Sequence, residues 1–230
     1  MNDRSVTKLG GICSLIVGIL YVLIGITFLL LPVEQKGGTG IDDLMRFYPS
    51  FHKNPTVMTL LYLEFAICAI IAIAAVPAIS GLVRNVSEGW TRWTSNLAYL
   101  GFAVIAIYYF QMIAMAPSRA AVYVAGDAAT KAAIAVPVGV DPQFLLRYGV
   151  LGLWLFVVGI LGLRGGKLPK ALSCLGIVAG ILYWLLAASD VLGSETIVRS
   201  IIALVGGVIA GPIWYVWIGI KLLKSTSAGG

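Results

Sequence analysis

Long apolar stretches alternate with short polar ones along the chain, and the apolar stretches share a length. Six of them, Leu9–Leu31, Val57–Val83, Trp93–Ala116, Phe144–Leu163, Leu172–Leu192 and Ile201–Ile220, run for about 20 residues or more and carry very few charges. About 20 apolar residues in a helix cross a hydrocarbon core roughly 30 Å thick, so each stretch is expected to be a spanning helix. Charge, Gly or Pro breaks off every one. Leu9–Leu31 is too long for the apolar part of a cleaved signal peptide, and no small-x-small site precedes Glu34, so it reads as the first span. The turn Arg164-Gly-Gly-Lys-Leu-Pro-Lys170 is tight and basic, which forces an antiparallel hairpin between the fourth and fifth spans.

Two segments between spans have patterns of their own. Ile41–Tyr48 (IDDLMRFY) places acids in its first turn and Ile41, Leu44, Met45 and Tyr48 at helical spacing, which suits a short helix lying on the outer surface or a solvated turn. The Ala- and Val-rich loop 117–142 is open to the same two readings.

Composition makes lipid the solvent. Of 230 residues, 60% are hydrophobic and 11% charged, against about 45–50% and 25% in soluble domains. The expected fold class is therefore all-α: one polytopic membrane bundle of six transmembrane helices over residues 1–230. The net charge of +6 does not point to nucleic acid, because the basic residues are scattered over helix ends instead of forming a stripe with interleaved aromatics. The lipid bilayer is the expected partner.

The same charges set an orientation. Arg4, Lys8, Arg84, Arg92, Arg164, Lys167, Lys170, Lys221 and Lys224 lie on one side, against only Asp3 and Glu88. On the other side, Lys36, Arg46, Lys53, Arg119, Lys131, Arg147 and Arg199 are balanced by Glu34, Asp42, Asp43, Asp127, Asp141, Asp190 and Glu195. The basic side is expected in the cytoplasm, and an even number of crossings puts both termini there.

The sequence also echoes itself. Lys8–Leu23 (KLGGICSLIVGILYVL) aligns without gaps with Lys170–Leu185 (KALSCLGIVAGILYWL), sharing GILY at Gly18–Tyr21 and Gly180–Tyr183. Leu100-Gly-Phe through Tyr108 is a fainter copy in the third span. The fourth and sixth share W-x4-G-I-x2-L-[RK], from Trp154 to Arg164 and from Trp214 to Lys224. Three helical hairpins of one orientation would give this pattern, set around a pseudo-threefold axis or in a row.

The basic starts with GILY, the turn Leu168-Pro169-Lys170 and the ending Gly211-Pro212-Ile213-Trp214 through Trp217, Gly219, Lys221 and Leu222 carry a family resemblance. The chain resembles a bacterial family of six-helix integral membrane proteins described as a domain of unknown function. That resemblance implies a compact bundle in a bacterial cell (inner) membrane and lends no activity.

Polar groups inside a membrane are costly and often functional. Glu64, Gln111, Arg147 and Asp190 stand on four different spans. At about 1.5 Å per residue, Glu64 lies roughly 10 Å below the outer edge. Arg147 and Gln111 lie roughly 5–8 Å deep by the same rise, with Asp190 near the rim. Tyr62 and Tyr108 share that layer, with Tyr109 and Tyr148. An outward-facing pocket in which Glu64 and Arg147 meet a polar ligand is one reading, and a structural Glu64–Arg147 ion pair or a snorkelling Arg147 is the other. Gly206-Gly207-Val-Ile-Ala-Gly211-Pro212 could break the sixth helix beside a cavity. Close packing through Gly207/Gly211 and Gly176/Gly180 is the commoner meaning of such spacing. Most of the tryptophans are expected to be interfacial anchors, and Cys13, Cys68 and Cys174 to be buried small hydrophobes.

No cofactor and no metal are expected. The single histidine, His52, lies in an outer loop, which excludes a haem held by paired histidines within the bundle. HExxH, P-loop, GxSxG and GxGxxG spacings are missing. Three function classes follow: an accessory or scaffold subunit binding other membrane proteins or lipid, a carrier or receptor for a small amphiphile or ion through the outer polar layer, and an intramembrane enzyme using Glu64. The small-residue faces and the lack of catalytic residues favour the first.

Overall fold

A computed structural model describes residues 3–36, 41–136, 141, 144–191, 202 and 204–227. With no water to satisfy backbone groups in hydrocarbon, a spanning segment must hydrogen-bond internally, and the described residues are mostly helical, without a strand. The elements are α1 (Asp3–Leu30), a 3-10 turn (Val33–Gln35), α2 (Ile41–Lys53), α3 (Thr56–Gly81), α4 (Glu88–Ala125) and α5 (Ala128–Ile134). There follow α6 (Val150–Leu163), preceded by a π-helical segment (Leu145–Gly149), α7 (Lys170–Val191), and α8 (Gly211–Ser227), preceded by a second π-helical segment (Leu204–Ala210). The six expected spans correspond to α1, α3, α4, α6, α7 and α8, and with the π-helical segments counted into α6 and α8 each is long and apolar enough to cross a membrane. Leu192, Glu195, Arg199 and Ile201 lie outside the described residues, as does the side chain of Asp190.

The spans form a ring in chain order. α1 packs along α3, α3 along α4, α4 along α6 and α6 along α7; α8 packs along α1 and touches α7, closing the circle. The hairpins are thus set around an axis and not in a row. Equivalent residues of the sequence echo meet there: the Tyr21 and Tyr183 hydroxyls are 3.0 Å apart, and the Trp154 and Trp214 rings stand edge to face at 6.0 Å.

Lipid gives helices no hydrophobic reason to associate, so small residues and hydrogen bonds do the work. A Cβ on Gly180 would stand 2.6 Å from the Gly152 carbonyl oxygen, and one on Gly152 2.7 Å from that of Gly180, so α6 and α7 touch backbone to backbone. A Cβ on Gly18 would stand 2.6 Å from Val216 on α8. The small-residue faces are therefore spent within the chain. Gly207 differs, since a Cβ there would meet nothing.

Toward the end where α3 turns into α4 and α6 into α7, the ring is filled. Trp154 and Trp214 are almost wholly buried, and Trp154 donates its indole N–H to the Ser80 hydroxyl at 3.1 Å, which also lies 2.7 Å from the Ser95 hydroxyl. These two tryptophans are core residues, against the expectation of interfacial anchors; a buried indole is tolerated because its N–H has a partner. Trp90, Trp93, Trp184 and Trp217 do lie exposed on the outside. Gly165, at φ 118°, supplies the left-handed residue that ends α6, and Lys167 donates its amide to Leu82, tying the basic turn to the end of α3. Cys13 and Cys68 are buried as expected, whereas Cys174 is exposed on the outside of the ring.

The opposite end is capped. α4 runs straight through Pro117, against its expected end at Ala116, and the loop that follows contains α5. At about 1.5 Å per residue a helix of 38 residues is roughly 57 Å long, far more than the hydrocarbon core needs. α2 lies against this extension. Arg119 on α4 donates to the Tyr48 hydroxyl of α2 at 3.0 Å and to the carbonyls of Ile134 and Val136, so one side chain clasps α2 and the end of α5 to α4. α5 starts on Asp127, which accepts the Thr130 amide at 2.8 Å. That bond holds the Asp127 carboxyl below its ordinary value. Ile41–Tyr48 thus lies in a helix, and the described part of 117–142 is mainly the end of α4 and α5, so neither is a mere solvated turn.

Candidate functional site

Because the ring is filled at one end only, a cup of about 400 Å³ remains under the cap. Its floor is the Tyr21–Tyr183 hydroxyl pair, about 15 Å below Leu31 at a rise of about 1.5 Å per residue. Tyr21 is stacked on Tyr215 at 5.7 Å. One wall is aromatic: Phe65 stacks on Tyr109 at 4.6 Å, and Tyr62 leans on the same ring at 5.8 Å. Cys68 and Ala69 of α3, Phe102 and Ile105 of α4, and Leu182 and Leu186 of α7 complete the sides. Gly207 and Val208 line it from the second π segment. Pro212 cannot donate to the Val208 carbonyl and its ring displaces that group; the π-helical register just before it absorbs the disturbance. The break in the last span therefore borders the cavity, where packing was the commoner expectation.

At the mouth, α2 turns Leu44, Phe47 and Tyr48 inward, and Gln35 and Lys36 stand at the end of α1. Gln35 is buried and donates its amide N–H groups to the Ser50 hydroxyl and the Asn54 carbonyl. Lys36 donates to the Leu29 carbonyl at 2.8 Å and lies 6.0 Å over the Phe28 ring.

Arg147, the most polar of the expected site residues, is fully buried just behind this wall. Its guanidinium lies 3.7 Å from the Tyr108 ring centre and 4.1 Å from that of Phe144. Asp141 is its counter-ion: Nε lies 3.4 Å from Asp141 Oδ2, Nη2 donates to the Asp141 carbonyl at 2.6 Å, and the Arg147 amide donates to Oδ2 at 2.8 Å. Phe144 sits at φ 59°, in the left-handed region, which costs about 1–2 kcal/mol. A desolvated cation–π contact contributes about 2 kcal/mol, enough to offset that strain. Arg147 thus fixes Tyr108 and Phe144, and Tyr148 packs edge to face on Phe144 at 5.7 Å; all three line the cup.

The expected Glu64–Arg147 pair does not form. Glu64 instead accepts the Thr27 hydroxyl at 3.0 Å, between α3 and α1, and its other oxygen is buried without a partner. Gln111 has a similarly orphaned oxygen. Neither is among the lining residues, whereas Tyr62 and Tyr108 are. The sequence reading missed Asp141, the Tyr21–Tyr183 floor and Lys36; the repeated GILY was the signal for the floor. Among the described residues no three His, Cys, Asp or Glu side chains gather as metal ligands would. Chemically, the cup can exclude water, enclose an apolar body and offer phenolic hydroxyls.

A family model described as a domain of unknown function (DUF4386) matches residues 16–223. No curated protein and no solved structure matches the chain.

Proposed function

Because the chain belongs to the DUF4386 family, a domain of unknown function, no activity comes with its kinship, and we propose from its own geometry that it binds one apolar amphiphile in the cup. The carrying observation is a cavity of about 400 Å³ sealed at one end by Trp154 and Trp214. Small-molecule sites fall in the range of about 300–1,000 Å³ and are mostly apolar with a few placed polar groups. The basic turns sit at the sealed end, so the cup opens on the outer face of a bacterial cell membrane with both termini in the cytoplasm. A carrier or receptor role fits this better than a scaffold role, since of its motivating glycines Gly176, Gly180 and Gly211 face other residues of the chain and Gly207 alone is open, on the cavity wall. An enzyme using Glu64 would need its carboxyl beside a substrate, and Glu64 is not on the cavity wall.

The test uses tryptophan fluorescence with Trp90, Trp93, Trp184 and Trp217 replaced by Phe, which leaves the two buried indoles. Stearic acid brominated toward its methyl end should quench them saturably, at one molecule per chain. Quenching that only rises in proportion to added ligand would mean partition into the micelle and would overturn the proposal.

A further inference from the structure

Resting on that cup, we propose that its ligand carries an anionic head, recognised by Lys36, above a single apolar tail. Among the described lining residues Lys36 is the sole bearer of formal charge; the rest are aliphatic, aromatic, or neutral polar groups such as Gln35 and the tyrosines. Its ammonium group has three donors. The Leu29 carbonyl takes one at 2.8 Å and the Phe28 ring lies 6.0 Å away, both neutral partners. The ion pairs among the described residues join Arg46 to Asp43, Arg84 to Glu88 and Arg147 to Asp141, so no carboxylate pairs with Lys36.

The arrangement is graded along the axis. A cation stands at the mouth, apolar walls follow, and at the floor Tyr21 and Tyr183 share one hydrogen bond at 3.0 Å, which leaves a single neutral O–H to donate. A polar head at the floor would find one neutral O–H donor, whereas a head at the mouth finds a positive charge that no described carboxylate pairs. The tail therefore points down, and a depth of about 15 Å from mouth to floor is half a hydrocarbon core of roughly 30 Å, which suits one chain lying in one leaflet. A carboxylate and a phosphate monoester share this chemistry.

Three ligands with the same tail brominated near its methyl end separate the possibilities: the carboxylic acid, the alkyl phosphate and the alcohol, titrated at about pH 8, where the acid head is ionised. Both anions should bind at least about tenfold more tightly than the alcohol, as a charge-assisted hydrogen bond implies. Which anion is preferred tells a fatty acid from a phospholipid-derived ligand. Lys36→Met should bring the anion-to-alcohol affinity ratio to about one, and Lys36→Arg should keep it high. Moving the bromine next to the head should abolish quenching of the buried indoles. If acid, phosphate and alcohol bind alike and Lys36→Met leaves the ratio unchanged, the head-group assignment is wrong while the cup stands. If none quenches saturably, both fall.

Discussion

Asp141→Ala is expected to lower stability in detergent by about 3–5 kcal/mol, the usual cost of stranding a buried charge. Arg147 has no exposed surface, and Asp141 supplies its only counter-charge among the described residues, both its side-chain and carbonyl oxygens being engaged. The truncation removes the carboxylate, frees the Arg147 backbone N–H and leaves the guanidinium, among the described residues, with Tyr108, Phe144 and the Asp141 carbonyl. The loss should spread to the cup, because Phe144 and Tyr148 are held in place by the same turn. Replacing both partners, as in Asp141→Ala with Arg147→Met, should recover much of the loss, since a buried pair exchanged for apolar groups is often near neutral. Thermal or denaturant unfolding reads both variants. A single mutant within about 0.5 kcal/mol of the parent, the range of an ordinary surface change, would mean the pair is not structural.

The second large effect concerns the cavity itself. Ala69 is 3% exposed, on the inner side of α3, and lines the cup. Ala69→Phe places a ring where the tail is proposed to lie, and the affinity for the tail-brominated acid should fall about a hundredfold, close to 3 kcal/mol at about 1.4 kcal/mol per decade. Leu60→Phe is the matched control on the same helix, since Leu60 faces outward with 48% exposure; it should bind as the parent does. Equal affinities for the two variants would place the ligand outside the ring.

The spans were legible because composition dictates them: an apolar run of the right length has no other stable fate in lipid. α2 was legible for a different reason, its apolar and polar residues separating onto two faces. The rotation of the long helices was not. α3 and α4 are apolar nearly all round, so nothing in their pattern says which face turns inward, and depth alone put Glu64 and Gln111 in the same layer as Tyr62 and Tyr108. The structure turns the tyrosines into the cup and Glu64 toward Thr27. Its charge marks Arg147 out in an apolar span, yet its partner lies across a local turn, six residues before it, not on another span. The GILY repeat was a better guide than charge: the two residues it pairs, Tyr21 and Tyr183, meet at the floor. Pro117 misled, since a proline displaces one helical bond and α4 carries on regardless.

At the centre of the account is a ring that encloses one amphiphile between the Tyr21–Tyr183 floor and the α2 cap. Native mass spectrometry of the chain purified in mild detergent tests this directly. The parent protein should carry one copurified amphiphile per chain, and Ala69→Phe should carry none. A parent chain at its bare mass, or the same adduct retained by Ala69→Phe, would contradict it.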